Sequence, residues 1–456
     1  MDVYLDEFSV CELWAILTQH MIAKMKKLIP ALMLLSICIL IEGCTNSDTL
    51  STGFSEDNAS SESASSQEES SIEAQDETTS ADNYLFALED SGMSTLSVAS
   101  RNVFAVDTDC KLWGWGQSKY NVFLNKSEEE LFPVEVFDSV KSVSSGGSFV
   151  IMIRTDDTLW GWGSNEDGQL GLGRNNEVEN APVKIMDDVS AVSTGGGFSV
   201  VLKKDNSLWV SGFNYYGVLG NGTQSYYEYY NAGDGNQYKP IGQDSNEFVK
   251  VMDNIRSVHA NSGTIAAVDR NNCLWAWGDN QIGTLPGDSG QITDDPEQSI
   301  VDTPLKLMEG VFSARVGTGC LYILKVDGEL IRWESTKSRK QIMSNVKYID
   351  ACNWTLAVIT EDNSLLCKGL PYTEKDSKGF YKLAENAAHV AVGHQFVSFV
   401  DKENDLYCAG LNFYGLVGNG ENTLDPTLIA PPGGDYLKTE DDFVYSPVHV
   451  LSDIAY

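Results

Sequence analysis

Five glycines and two tryptophans crowd the stretch Leu159-Trp160-Gly161-Trp162-Gly163-Ser164-Asn165-Glu166-Asp167-Gly168-Gln169-Leu170-Gly171-Leu172-Gly173, a density that a phosphate-cradling loop would also have. Such a loop needs one glycine-rich turn between a strand and a helix, with a lysine or a helix N-terminus to meet the anion. Neither accompanies the turn here. Related turns recur at Asn214 to Gly222 and Asn412 to Gly420 among segments that read as strands, so the glycines serve a repeated backbone geometry and no nucleotide is expected. The histidines offer little more. His389 and His394 fall on a strand and a turn rather than on one helix face, and His259 and His449 are isolated, so no metal site is expected. There is no Gly-x-Ser-x-Gly nucleophile motif. Cys110, Cys273, Cys320, Cys352, Cys367 and Cys408 show no metal-ligand spacing and read as free, buried thiols. Carboxylates are plentiful, and two of them near one another could hydrolyse a polysaccharide, but the sequence alone does not show which of them approach. No cofactor is expected.

The stretch most suited to recognition is Tyr226-Tyr227-Glu228-Tyr229-Tyr230, with Tyr238 close behind. Exposed tyrosines give a large contact area at low entropic cost plus a hydroxyl, which suits a protein or a glycan. The competing reading is a loop that folds its aromatics back onto its own scaffold.

What positions these residues is a repeat. Leu112-Trp113-Gly114-Trp115-Gly116 returns as Leu159-Trp160-Gly161-Trp162-Gly163, Leu208-Trp209-Val210-Ser211-Gly212 and Leu274-Trp275-Ala276-Trp277-Gly278, then in degenerate form at Leu330, Leu365 and Leu406. Each copy follows an alternating apolar segment and a pair such as Asp156-Asp157, Asp205-Asn206 or Asn271-Asn272, which tolerates the positive φ of a two-residue hairpin turn. A proline-led strand follows, as in Pro133-Val134-Glu135-Val136 or Pro182-Val183-Lys184-Ile185, and then one more short strand. Seven units of four strands, none able to bury both faces alone, predict an all-β chain: a single seven-bladed β-propeller over residues 84–456. Residues 452–456 read like the start of another unit and residues 94–98 fill the same slot, so the two ends should meet at one seam.

These motifs resemble the regulator of chromosome condensation repeat family, whose unit combines Gly-x-x-His, an Asp-Gly turn, a Trp-Gly strand end and Asn-x-x-Gly-x-Leu-Gly-x-Gly. The resemblance covers residues 94–456 and implies a seven-bladed propeller that binds partners without catalysis; bacterial members include a secreted inhibitor of β-lactamases. The histidine slot departs from the family, holding Phe149, Phe198 and Phe396, and Asn102, Thr264, Cys320 and Thr355 elsewhere, so nucleotide exchange and chromatin binding do not carry over.

The N-terminus reads as an address. Lys24, Lys26 and Lys27 precede an apolar run over residues 28–41, the length of a signal-peptide core, and residues 1–24 look like an upstream extension. Ile41-Glu42-Gly43-Cys44 resembles a bacterial lipobox, although Glu42 stands where a small or apolar residue is usual. Residues 1–43 are thus expected to be removed, with lipid on Cys44. Residues 44–83 follow as a disordered tether, since residues 45–82 hold eleven serines and ten acidic side chains and cannot bury enough surface to fold. The formal net charge of -34 repels phosphate backbones, so no nucleic acid is expected as a partner.

Units three, four and seven gain residues 223–246, 286–302 and 421–445, all between the third and fourth strands, so the inserts should rise on one face. The expectation is a monomeric, extracytoplasmic, lipid-anchored bacterial propeller that binds an extracellular protein or glycan through this face. The alternative is a polysaccharide-acting enzyme with carboxylates near the axis.

Overall fold

The computed structural model describes residues 94–124, 126–231, 236–242, 244–280, 285, 300–335, 338–370, 379–421 and 443–456. Cys44, the apolar run and the tether lie outside the described residues, as does most of the inserts of units four and seven.

Blade one runs β1 (Leu96–Val98), β2 (Asn102–Val106), β3 (Leu112–Gln117) and β4 (Glu129–Phe137). Blade two has β5 (Val140–Ser145), β6 (Phe149–Arg154), β7 (Leu159–Asn165) and β8 (Asn176–Met186). Blade three has β9 (Val189–Thr194), β10 (Phe198–Lys203) and β11 (Leu208–Gly212), then the insert strands β12 (Tyr226–Asn231) and β13 (Asn236–Ile241), then β14 (Ser245–Met252). Blade four has β15 (Ile255–Asn261), β16 (Thr264–Asp269), β17 (Leu274–Asp279) and β18 (Ile300–Met308). Blade five has β19 (Val311–Gly317), β20 (Cys320–Lys325), β21 (Leu330–Ser335) and β22 (Ser338–Met343). Blade six has β23 (Val346–Cys352), β24 (Thr355–Thr360), β25 (Leu365–Lys368) and β26 (Tyr381–Ala384). Blade seven ends the series with β27 (Ala387–Gly393), β28 (Phe396–Asp401), β29 (Leu406–Leu411) and β30 (Phe443–Leu451). Each blade is a four-stranded antiparallel sheet in sequence order, and the seven form a β-propeller.

The core lies between the blades. An apolar cluster fills every junction: Phe104, Phe123 and Leu112 of blade one meet Val143, Met152 and Trp162 of blade two, and so on around to Leu406, Cys408 and Phe396 of blade seven against Leu96, Val103 and Trp115 of blade one. Burying both faces of a sheet against its neighbours removes the apolar surface that a single blade would leave in water.

One end of the ring is built from seven near-copies of one device. The residue that links each blade to the next has a left-handed backbone, with φ from 56° at Ser139 to 73° at Gly310, which Asn, Asp, Ser or Gly tolerates. Its carbonyl accepts from the end of the next blade's second strand, as Asp188 does from Lys204 N–H at 2.8 Å, and the following N–H donates back to the previous blade's hairpin turn, as Val189 does to Asp157 at 3.0 Å. The seventh copy is supplied by the C-terminus: the Asp453 carbonyl accepts from Thr108 N–H at 2.7 Å and Ile454 N–H donates to Asn404 at 2.9 Å. Thr95 Oγ1 adds a 2.7 Å bond to the Ala455 carbonyl. The first and last described segments of the propeller therefore meet as expected, but residues 452–456 start no strand. They form a single bridge, Ile454 to Asp107, and close the ring as a linker.

The hairpin turns between second and third strands depart from the two-residue form expected. Asp157 N–H donates to Arg154 and Arg154 N–H to Thr158, so three residues are looped out and only the last, Asp157 at φ 62°, is left-handed. Asp156 Oδ1 fills the space instead, accepting from Thr158 N–H at 3.1 Å.

Candidate binding face

Strands in a blade alternate in direction, so the turns between first and second strands and the connections between third and fourth strands emerge together at the end opposite the linkers. All three inserts belong to such connections. In blade three the insert is itself a β-ribbon, with Tyr229 opposite Tyr238, Tyr227 opposite Pro240 and Tyr226 opposite Ile241. The tyrosines singled out in the sequence, Tyr226, Tyr227, Tyr229, Tyr230 and Tyr238, thus stand on one two-stranded ladder.

The glycine-rich turns beneath the inserts are structural. Asn165 Oδ1 accepts from Leu170 N–H at 3.0 Å while its Nδ2 donates to the Arg174 carbonyl at 2.9 Å, and Asn214 and Asn412 repeat both bonds. Gly168, at φ 76°, lies so close to blade three that a Cβ would come within 2.5 Å of Asn246 Cα. Blade one hides a copy that the sequence motif does not display: Ser118 Oγ takes the place of the asparagine and accepts from Phe123 N–H at 3.1 Å.

Three of these turns also receive a tryptophan from the next blade, while the turn of blade two receives Ser211 Oγ, which donates to the Gly168 carbonyl at 2.8 Å. Nε1 of Trp115, Trp162 and Trp277 donates to the carbonyls of Leu416, Val122 and Val218 at 2.8, 2.9 and 2.8 Å. These three indoles and Trp333 are fully buried. The first tryptophan of each motif is half-buried and bonds within its own blade, as Trp113 Nε1 does to Asp107 Oδ2 at 2.8 Å. Phe149 and Phe198 explain the loss of the family's histidine. Each ring lies over a glycine, Gly146 or Gly195, where a Cβ would come within 2.1 Å of it.

Above this scaffold the face is rich in aromatics. Tyr414 receives the Arg101 guanidinium at 5.8 Å from its ring centre, and Tyr120 receives Lys119 Nζ at 5.1 Å. Phe213 and Tyr215 stack at 5.8 Å, and Tyr216 packs edge-on to Tyr215 and over the Gly263 backbone of blade four. Trp354, in the first turn of blade six, was not marked by any sequence motif and is 58% exposed.

The axis carries a separate polar ring. One register position of the inner strands holds Ser97, Ser144, Ser193, His259, Arg315, Asp350 and Ala391 in blades one to seven. Four of these side chains take an inward N–H from the next blade: Ser97 Oγ from Ser145, Ser193 Oγ from Ala260, His259 Nδ1 from Val316 and Asp350 Oδ2 from Val392, at 2.8–3.2 Å, while Ser144 Oγ pairs with Thr194 Oγ1 at 2.9 Å. Arg315 cannot accept and instead donates Nε to Asp350 Oδ1 at 3.1 Å. His259 is held as the Nε2–H tautomer by its acceptor role, and burial keeps its pKa well below the ordinary value. Burial also pushes Asp350 up, against the pull of Arg315. His389, next along the axis and packed at a tilt 5.1 Å from Tyr348, has an Nε2 without a hydrogen-bond partner; burial and then Arg315 lower its pKa to about 4. His394 lies apart, exposed on the following turn. Among the described residues no three His, Cys, Asp or Glu gather as metal ligands, and the six cysteines form no disulfide. Burial pushes the Cys408 thiol up to about 12, far from a nucleophile's range.

Comparison with known proteins agrees with this geometry. The family described as regulator of chromosome condensation (RCC1) repeat matches residues 156–202, and a second family of the same description matches residues 140–169. No curated protein is recognisably similar in sequence. Yeast RCC1 (Prp20), solved bound to Kap60, is 17% identical with a TM-score of 0.56 and matches over 86% of this chain and 91% of its own. Human WBSCR16 is 15% identical with a TM-score of 0.45, over 79% of this chain and 82% of its own. The chain is a seven-bladed β-propeller in which residues 140–202 match the regulator of chromosome condensation (RCC1) repeat.

Proposed function

We propose that this propeller is a membrane-anchored, extracytoplasmic binding module of a bacterial cell, held by lipid on Cys44 and recognising a protein or a glycan through the insert-bearing face. The observation that carries the reading is the contrast in what that face is made of. Its scaffold turns satisfy their own hydrogen bonds, while the tyrosine ladder of β12 and β13 is added to blade three without pairing to the blade's own sheet. A yeast propeller of the same fold is known bound to the protein Kap60, which is consistent with a binding role. Replacing Tyr226, Tyr227, Tyr229 and Tyr230 together by alanine is expected to abolish capture of the partner from the cell envelope by the full-length protein. Unchanged capture would remove the ladder from the reading. Cys44→Ser is expected to abolish incorporation of labelled palmitate and release the protein from membranes.

Catalysis at the axis is the second reading, and one observation weighs against it. Asp350 is the one carboxylate on the seven inner strands, and Arg315 and Val392 N–H already hold it, whereas glycoside hydrolysis uses two carboxyls about 5–10 Å apart. Hydrolysis of a polysaccharide that survives Asp350→Asn would point to carboxylates elsewhere.

A further inference from the structure

Resting on the reading of the insert side as the binding face, we propose that the mouth of the ring on that side is a site for a neutral glycan, with Trp354 as its stacking platform. Large apolar side chains that stay exposed are few: among the described residues Phe132, Val326 and Trp354 stand out. Phe132 lies over the Gly420 backbone of blade seven, and Val326 sits in a hairpin turn at the opposite end of the ring. Trp354 alone of the three is in a first turn, on the rim of the axis. Its position is fixed from both sides. The Asn353 carbonyl accepts from Thr318 N–H of blade five at 2.8 Å, and Thr355 Oγ1 accepts from Gln395 N–H of blade seven at 2.9 Å. Gly369 packs so tightly against the Trp354 carbonyl that a Cβ there would come within 2.0 Å of it. An aromatic surface left in water on a backbone fixed in this way lowers the ordering cost of a ligand that stacks on it.

The surroundings select the ligand's chemistry. The first turns of blades four to seven present Ser262, Thr318, Asn353, His394 and Gln395, and none carries a carboxylate, a lysine or an arginine. In a chain of net charge -34, that leaves a rim of hydroxyl, amide and imidazole groups around one indole. A cationic peptide would find no carboxylate on these first turns, and a polyanion would meet the repulsive field of the whole protein. Sugar rings offer what the rim accepts: an apolar C–H face for the indole and hydroxyls for the amides. Access fits as well. On the blade-five side the rim beside Trp354 is bordered by a connection of residues 336–337 alone, whereas blades four, six and seven use residues 280–299, 369–380 and 412–442.

The test is calorimetric titration of the full-length protein with chitohexaose, cellohexaose, laminarihexaose and mannohexaose, with hexagalacturonate as the charged control. At least one neutral hexasaccharide is expected to bind, and Trp354→Ala to weaken it on the order of tenfold or more, with Trp354→Phe in between. The melting temperature checks that each variant is folded. The proposal is overturned if no neutral probe binds, if Trp354→Ala binds as well as the parent, if the uronate binds better than the neutral sugars, or if Trp354→Ala loses a captured protein instead of a sugar. The fourfold tyrosine variant is titrated in parallel. Retained sugar binding with lost capture separates the two sites, and lost sugar binding only in that variant places the glycan on the ladder rather than on Trp354.

Discussion

The two ends of the ring are made by opposite rules. At the linker end, seven hairpin turns and seven linkers repeat one backbone path, each with a left-handed residue between 56° and 76° and each bonded to the next blade. At the insert end, the same blades carry connections that range from residues 336–337 to residues 412–442. Backbone bonds that hold neighbouring wedges together cannot vary without opening a seam, whereas a connection whose ends are already fixed by strands can lengthen at little entropic cost. The linker end closes the ring and the insert end is free to acquire ligands.

The largest effect should come from breaking the first rule at its one non-covalent copy. Removing residues 453–456 deletes the Asp453 and Ile454 bonds to blades one and seven and takes Ile454, which is fully buried, out of the seam core. Loss of a buried isoleucine with its hydrogen bonds costs on the order of 5 kcal/mol, enough to unfold a domain of ordinary stability at moderate temperature. A large fall in the urea midpoint is expected. The equal deletion made inside the insert, residues 232–235, should leave that midpoint almost unchanged. Equal losses from both deletions would end the distinction between the two faces.

The architecture was legible in the sequence because it repeats. A buried indole, a left-handed Asn or Asp and an Asn-x-x-Gly turn each recur in a fixed slot, and seven weak copies add to a strong pattern even where blade one substitutes Ser118 for the asparagine. The turn type differs from the sequence expectation because Asp156-Asp157 satisfies two loop geometries, and only the Arg154 to Thr158 pairing decides between them. The tyrosine ladder was visible as composition, though not as a ribbon. Trp354 and the axial ring were not legible at all. Trp354 belongs to no motif, and the axial ring draws a single residue from each blade, so Ser97, His259, Arg315 and Asp350 come together only when the ring closes.

A smaller effect tests whether the axial ring belongs to the scaffold or to the ligand face. His389 titrates near 4 in the folded chain against an ordinary 6.5, so between those values the unfolded chain binds a proton that the folded chain refuses. Folded stability is therefore complete above pH 6.5 and falls as pH is lowered toward 4, by about 3 kcal/mol from this group. Asp350, pushed up by burial, acts in the reverse sense and gains stability on acidification. Both Asp350 and His259 remain in a His389→Phe variant, so the difference between the two proteins isolates His389. Urea midpoints measured from pH 7 to 4 should converge or cross as the parent loses its advantage, while ligand capture at neutral pH stays the same. Parallel curves would mean that His389 is protonated or solvated in the folded ring.

The smallest expected effect sharpens the linker-end rule itself. Blade five has Gly328 where the other hairpin turns have Cys110, Asp157, Asn206, Asn272, Asn363 and Asn404, all at φ between 59° and 69°. Gly328 sits at 76°, and a Cβ there would meet nothing nearer than the Val346 carbonyl at 3.4 Å, an ordinary contact. Asparagine adopts this conformation more readily than most residues, and replacing glycine reduces the freedom of the unfolded chain. Gly328→Asn should thus change stability by less than about 1 kcal/mol in either direction. The glycine at the end of the third strand obeys a different constraint: at Gly116 φ is 101° and a Cβ would lie 2.4 Å from the Arg101 carbonyl, so no side chain fits there. A Gly328→Asn variant as damaged as Gly116→Ala would show that the hairpin slot demands glycine after all, and that the seven turns are not interchangeable copies.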